Sequence, residues 1–199
     1  CADIYCFAKA LGGGVAKTAA TLIHKKKLVD RFGYLHTSTF AEDSFSSAIA
    51  CRVLELLDEP TIREGMKIAV YLKQELENLQ RRHPAVIREV RGRGLLIGVE
   101  FDPSIRNQCY ELKFFYDLGL LGWLFSSALL NRQALRISPT MSSPLTLRLE
   151  PSLITTAADV WSICQALDTL CRAIEAVDMP YFFGHLFPDC KISSAHPIP

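Results

Sequence analysis

Lys9 closes a short, apolar, β-rich run, Asp3 to Lys9 (DIYCFAK), and the chain passes at once into Gly12, Gly13 and Gly14. A lysine at the exit of an apolar strand is where a partly buried amine of depressed pKa can be held, the form that Schiff-base chemistry needs. Glycines just beyond it let a backbone approach a bound cofactor closely. The plainer alternative is a solvated strand-end lysine, the commoner fate of such a residue. Lys17 is a second amine nearby, without the strand-then-glycine setting. The overlapping run GGGVAKT, Gly12 to Thr18, is not a phosphate-cradling P-loop. The pattern GxxxxGK[ST] needs glycines where this chain has Leu11 and Ala16.

The elements that must position Lys9 are a strand before it and a glycine turn after it. Ala19 to His24 reads as a second short strand, and Lys25 to Phe32 as a helical turn or two with an exposed basic side. After the polar loop GYLHTSTF, Glu42 to Leu57 carries Phe45, Ala48, Ile49, Val53 and Leu56 at helical spacing, with Glu42 and Asp43 at its start. Pro60 interrupts. Thr61 with Glu64 forms a capping-box pattern that opens a second helix running to about Arg82, and Pro84 ends it.

Beyond Pro84 strands alternate with helices, as in a separate α/β lobe. Val86 to Val90 and Leu95 to Phe101 are strands joined through Arg91, Gly92, Arg93 and Gly94, where the arginines organise a tight turn. One long helix is expected over Cys109 to Asn131, including the apolar run Leu118 to Leu130. That run is too short to span a bilayer, which takes roughly 20 residues, so a buried helix is preferred over a membrane-facing or partner-facing one. Ala134 to Ile137 and Leu145 to Leu149 are further strands. A last helix covers Ala157 to Val177, capped by Thr155 or Thr156, with Ile163, Leu167, Leu170 and Ile174 on one face. Past Met179 the sequence reads as a tail or linker.

Composition sets outer limits. Of 199 residues 49% are hydrophobic, and 22 Lys plus Arg balance 21 Asp plus Glu for a net charge of +1. That argues against a dominant nucleic-acid or anionic-membrane surface and against intrinsic disorder. Seven cysteines, an odd number without a CxxC pair, fit a reduced, cytoplasmic chain. Five scattered histidines form no metal-ligand, Ser-His-Asp or paired-carboxylate pattern.

Four motifs in order, DIYCFAKALGGG, HTSTF with a following helix, VRGRGLLIGVEF, and LRISPT leading to TLRLEPSLITTAADV, resemble the class III, or omega, aminotransferases. The resemblance runs from Asp3 to about Ala176. It implies the C-terminal part of a fold type I α/β enzyme that uses pyridoxal 5'-phosphate (PLP). Residues 1–60 would be the end of the large PLP-binding domain, 61–176 a connecting helix and small α/β domain, and 177–199 a tail. Lys9 matches the lysine that forms the internal aldimine and shuttles the substrate proton. Thr39 matches the threonine that donates to the cofactor phosphate of the neighbouring subunit, with Ser38 beside it, which implies a homodimer with a shared site. A hydroxyl there can equally cap the helix that starts nearby. Arg148 matches the arginine that pairs with the substrate α-carboxylate, for which a planar fork is suited. Arg136 is a weaker rival.

The implied reaction moves an amino group from an amine or amino acid to an oxo acid or aldehyde. Aminomutases, racemases and decarboxylases of the same fold are the alternative, as is an inactive fragment that needs the N-terminal half of the same enzyme. The chain departs from the family at Ala16–Lys17–Thr18–Ala19, at Ala41–Glu42–Asp43–Ser44 where Gly-Gly-Asn-Pro is usual, and at Ser152, where a second proline is usual. These departures suggest a branch close to diamine and long-chain amine transaminases, or to aminotransferase domains of multidomain biosynthetic proteins.

Overall fold

A computed structural model describes residues 2–35, 39, 41 and 43–186. The chain divides into two compact units, one up to Ile62 and one from Arg63.

In the first unit, β1 (Ile4–Phe7) and β2 (Ala20–Ile23) pair antiparallel, Ile4 opposite Ile23 and Phe7 opposite Ala20. Between them Lys9–Gly12 form a 3-10 turn. Gly13, just past it, has φ +60°, and a Cβ there would come within 2.8 Å of Val53 Cγ2, so glycine lets a helix close on the turn. The short helix α1 (Phe32–Leu35) follows, then α2 (Ser44–Leu56), which carries Val53. The α2 cap is Asp43, whose carboxylate accepts from the Ser46 N–H at 2.8 Å. Only Gly12 and Ala50 are buried among the described residues of this unit.

The helix α3 (Glu59–Arg82) starts earlier than the sequence suggested. Asp58, not Thr61, is the cap, accepting from the Thr61 N–H at 2.9 Å. Pro60 lies in the first turn, where its missing N–H has no intrahelical partner to lose. The second unit then builds a four-stranded antiparallel sheet from β3 (Ile87–Arg93), β4 (Leu96–Phe101), and, after the helices α4 (Tyr110–Asp117) and α5 (Leu121–Gln133), β5 (Ser138–Thr140) and β6 (Ser143–Leu149), in the order β3-β4-β6-β5. Two helices complete it, α6 (Ala157–Glu175) and α7 (Met179–Phe183).

One face of the sheet is the wall of the core. Ile97, Val99, Phe101, Leu147 and Leu149 point inward with Leu72, Leu76 and Leu79 of α3, Phe125 and Leu129 of α5, and Leu167, Leu170 and Ile174 of α6. The Thr156 and Asp159 capping box starts α6.

Four expectations are corrected. Arg91, Gly92 and Arg93 belong to β3, and the turn is only Gly94–Leu95, because Arg93 already pairs with Leu96. Gly92 sits at φ +145°, where a Cβ would meet the Leu96 carbonyl at 2.1 Å. The single helix over 109–131 is two helices, broken where Gly119 takes φ +69°. Its apolar run is buried at Leu121, Leu124, Phe125, Ala128 and Leu129, whereas Leu118, Leu120, Trp123 and Leu130 are exposed. The strand expected at Ala134–Ile137 lies at Ser138–Thr140, because Ala134 in the left-handed region ends α5 and 135–137 form a link. Finally, residues 177–186 are not a loose tail, for Met179 and Phe182 of α7 are buried in the core. No described helix is long and apolar enough to cross a membrane.

Candidate active site

Lys9 follows β1 directly and opens the 3-10 turn in a conformation rare for a side-chain-bearing residue, φ +60°. Such a backbone costs of order 1–3 kcal/mol and persists where the surroundings fix it, a pattern common at functional sites. The Gly13 contact with Val53 is one such restraint. The side chain is exposed, the commoner of the two settings that the sequence left open. The physical reason is the make-up of the two-stranded ribbon, whose Ile4, Tyr5, Phe7 and Leu22 are themselves exposed and bury nothing around the amine. Lys9 makes no ion pair among the described residues, unlike Lys27, which faces Asp3.

Thr39 is an exposed turn residue. It does not cap α2, since Asp43 does. Its hydroxyl is therefore not spent on the alternative role that the sequence allowed. Ser38 lies outside the described residues, as does Glu42.

Arg148 stands on the solvent face of β6 in the second unit, opposite Gly98 of β4 and Ser138 of β5. Its Nε is 3.3 Å from Glu150, and both side chains are about half exposed. Arg148 lines two clefts. One, of about 200 Å³, holds Arg136, Glu150, Pro151 and the apolar Leu135 and Ile163. The other, of about 600 Å³, runs over the sheet face past Arg91, Arg93, Thr140, Ser143 and Thr146. Arg136 is thus a neighbour of Arg148 in the smaller cleft, on the link after α5 rather than on a strand. A guanidinium at a cleft lined by hydroxyls and other cations is suited to a carboxylate.

Arg91 and Arg93 are not turn organisers. The Arg91 guanidinium donates to Glu100, to Glu89 at 2.8 Å and to the Thr146 hydroxyl at 3.1 Å. The Glu100 carboxylate that accepts from it holds its pKa above the ordinary arginine value. Glu150, Gly98 and the Ser143–Thr146 hydroxyl pair at 2.8 Å were missed in the sequence. The signal was there in the alternation LTLRLE, which puts Thr146, Arg148 and Glu150 on one face.

A separate charged cluster ties α3 to α6. The His83 ring nitrogens lie 2.8 Å from Glu175 and 3.0 Å from Asp168, and Asp168 also accepts from Arg82 and, at 2.7 Å, from Arg172. Burial alone would raise the Asp168 pKa, but the His83 hydrogen bond and the Arg82 and Arg172 charges outweigh it and hold it below the usual carboxylate value. Cys164 and Cys171 are buried thiols, the first pushed up to about 11 by desolvation and the second higher still. They are packing residues.

Residues 1–170 match the family described as aminotransferase class-III. Ornithine aminotransferase of Staphylococcus epidermidis is 37% identical over 120 residues, 60% of this chain and 29% of that protein. The chain therefore spans under a third of the length of that curated relative. Among solved structures, ornithine delta-aminotransferase of Plasmodium falciparum superposes with a TM-score of 0.70 at 23% identity, over 87% of this chain and 40% of that one. Ornithine aminotransferase of Toxoplasma gondii, described with partial occupancy of PLP at its active site, gives 0.70 at 21%, over 88% and 38%. The fold is that of part of a PLP-dependent transferase. With its motif lysine at the exit of β1, its motif arginine on the open face of the sheet and a family match over most of its length, the chain belongs to the class-III aminotransferases.

Proposed function

We propose that the chain is the C-terminal part of a PLP-dependent aminotransferase that moves an amino group between an amino donor and a ketone or aldehyde acceptor. The first unit is the end of the cofactor-binding domain and the second is the small domain. The observation that carries this reading is Lys9. The family match covers it, its backbone is strained, and its amine has no ion-pair partner among the described residues. A free primary amine beside glycines fits an aldehyde cofactor, and the exposed Thr39 hydroxyl fits its phosphate.

When bound, PLP supplies an electron sink for the carbanion formed at the substrate α-carbon. The chain's own residues do the rest. Lys9 would hold the cofactor through its Nζ and, as a free amine, would take the proton from the substrate Cα as a general base. A base in that position contributes typically 10²–10⁴-fold in rate. Thr39, with Ser38 beside it, donates to the phosphate of a neighbouring subunit in a homodimer. Arg148 receives the substrate carboxylate in a forked pair and so orients the Cα–H bond for removal. The N-terminal half of the enzyme supplies the remaining cofactor contacts, and the reduced cysteines suit the cytoplasm.

Borohydride reduction of the holoenzyme followed by peptide mapping should find the pyridoxyl group on the Lys9 peptide. Label on Lys17 or elsewhere would sink the assignment. Amino transfer from donor to acceptor, measured on the same preparation, separates this reaction from rearrangement or CO₂ release.

A further inference from the structure

The path of the chain past α7 points it at an uncovered apolar stripe. Arg132, near the end of α5, donates to the carbonyl of Pro180 at 2.8 Å and to that of Tyr181 at 3.2 Å. Further along, the His185 Nε2 lies 3.1 Å from the Ser127 hydroxyl, more than a turn back on the same helix. Gly184 keeps this path tight, since a Cβ there would lie 2.5 Å from Arg132 Nη2. Residues 180–185 therefore run from the C-terminal end of α5 towards its N-terminus. Ahead of Ser127 in that direction stand Trp123 and Leu120, on the same side of the helix by its period. Both are about half exposed, as is Leu186, the last residue described. The opposite side of α5, with Leu121, Phe125 and Ala128, is buried in the core. Leu120 is held near α7 in a second way. Its N–H donates to the Phe115 carbonyl at 2.8 Å, and the Phe115 ring packs on Phe183 with centroids 5.6 Å apart.

His185 carries an unmet demand beside this stripe. Its Nδ1 is buried and has no hydrogen-bond partner among the described residues. Burial, and after it the Arg132 charge, hold the ring below the ordinary histidine pKa, so it is neutral, with one nitrogen a donor and the other an acceptor. Whichever role falls to Nδ1, a polar group must come to it, because buried polar atoms are nearly always paired. The chain continues past Leu186 as FPDCKISSAHPIP, tethered directly beside the ring. Its chemistry suits the stripe. Phe187 and Ile192 are apolar, Asp189 and Lys191 cancel in charge, and Pro188, Pro197 and Pro199 favour an extended path that needs no strand partner. Reach is ample, since Ser127 to Leu120 is about 10 Å of helix, which roughly three extended residues span. A tethered segment also meets the stripe at a high effective concentration, an advantage that no separate partner has.

We propose that residues 187–199 are a cover for the second unit: they continue along α5 past Ser127, seat Phe187 against Trp123 and Leu120, and bring a backbone polar group to His185 Nδ1. The segment that reads as a tail or linker is then part of the packing of this unit. The proposal is independent of the roles given to Lys9 and Arg148.

The test compares the full-length holoenzyme with one whose chain ends at Leu186. Hydroxyl-radical footprinting reads the accessibility of each tryptophan side chain. Loss of 187–199 should raise Trp123 oxidation about threefold, because a half-exposed ring loses its cover, and leave the exposed Trp161 of α6 within about twofold of its full-length rate. Trp123 oxidised equally in both forms overturns the proposal. A slow equal rate would assign the cover to another part of the enzyme, and a fast one would show that there is none. Where the shortened chain does not fold, the full-length enzyme still decides. Phe187→p-benzoylphenylalanine, irradiated in the holoenzyme, should cross-link within the same polypeptide to the peptide that holds residues 118–130. A product of doubled chain mass, which marks a second copy, a cross-link elsewhere in the chain, or no cross-link at all overturns the proposal.

Discussion

Replacing Asp168 by Asn tests whether the cluster between α3 and α6 holds the second unit together. The Asp168 side chain is 7% exposed and accepts from three cationic or imidazole groups, Arg82, His83 and Arg172. An amide keeps the shape but loses the charge, and its NH₂ end must face one of those donors. Removing one partner of a buried ion pair costs about 3–5 kcal/mol, because the other is left uncompensated. Arg82 and Arg172 are 49% and 71% exposed and rehydrate, and His83 keeps its Glu175 partner, so the lower end applies, about 3 kcal/mol. The second unit begins at Arg63. At about 2.1 cal/mol/K per residue, roughly 130 residues give an unfolding entropy near 0.27 kcal/mol/K, so its melting temperature should fall by about 11 °C.

The pH dependence follows from the same group. Asp168 has a depressed pKa in the folded state, so its contribution is complete above the unfolded carboxylate value and is lost as pH falls through that value towards the folded one. The gap between wild type and Asp168→Asn should therefore be widest near neutral pH and close in acid. Differential scanning calorimetry across that range, read on the second unit's own transition, is the assay. A melting loss under about 3 °C, or a gap that widens in acid, would refute the reasoning.

Three other outcomes are expected. Arg148→Gln should raise KM for amino-acid donors by about 10- to 100-fold, the 1.5–3 kcal/mol of a charged hydrogen bond, and leave kcat/KM for a simple amine unchanged in steady-state assays. Phe182→Ala should cost about 3–5 kcal/mol in denaturant titrations, since the ring is fully buried between Phe125 and Tyr181; a loss under 1 kcal/mol would show that α7 is dispensable. Gly92→Ala should destabilise the β3–β4 hairpin enough to lower soluble yield, because its Cβ would meet the Leu96 carbonyl at 2.1 Å, and wild-type yield and melting would contradict that geometry.

The helices were legible where one physical signal dominated. α6 announced itself through a Thr155 or Thr156 cap and an apolar stripe, and the structure returns the full capping box at Thr156. The errors fell where two signals competed. Pro60 looked like an interruption because proline breaks helix interiors, but its place in the first turn depends on Asp58, a cap that precedes it. Gly119 split a continuous apolar run, since periodicity alone does not reveal a residue at positive φ. Met179 and Phe182 lay in a segment rich in aromatics and proline, and only tertiary packing shows that it closes the core. The charged cluster was beyond local reading altogether, because His83 and Asp168 are 85 residues apart.

The two residues named for the chemistry differ in how firmly their elements hold them, and this bears on which of them tolerates change. Arg148 sits on a strand paired on both sides and backed by Leu147 and Leu149, which are buried. Its position is set by a close-packed core that resists displacement. Lys9 sits at the end of a two-stranded ribbon in a unit with two buried described residues, and its conformation is fixed locally, by the turn to Gly12 and by the approach of Val53 to Gly13. Local opening costs least where few apolar contacts must be broken, so amide hydrogen exchange should be far faster at residues 8–14 than in β6. Binding that favours the closed turn would slow that exchange by linkage, whereas β6, already protected by its own core, has little left to gain. Cofactor addition that protects 8–14 selectively is thus the signature of a lysine whose site is completed on binding, and equal protection in both segments would show instead that the two units open together.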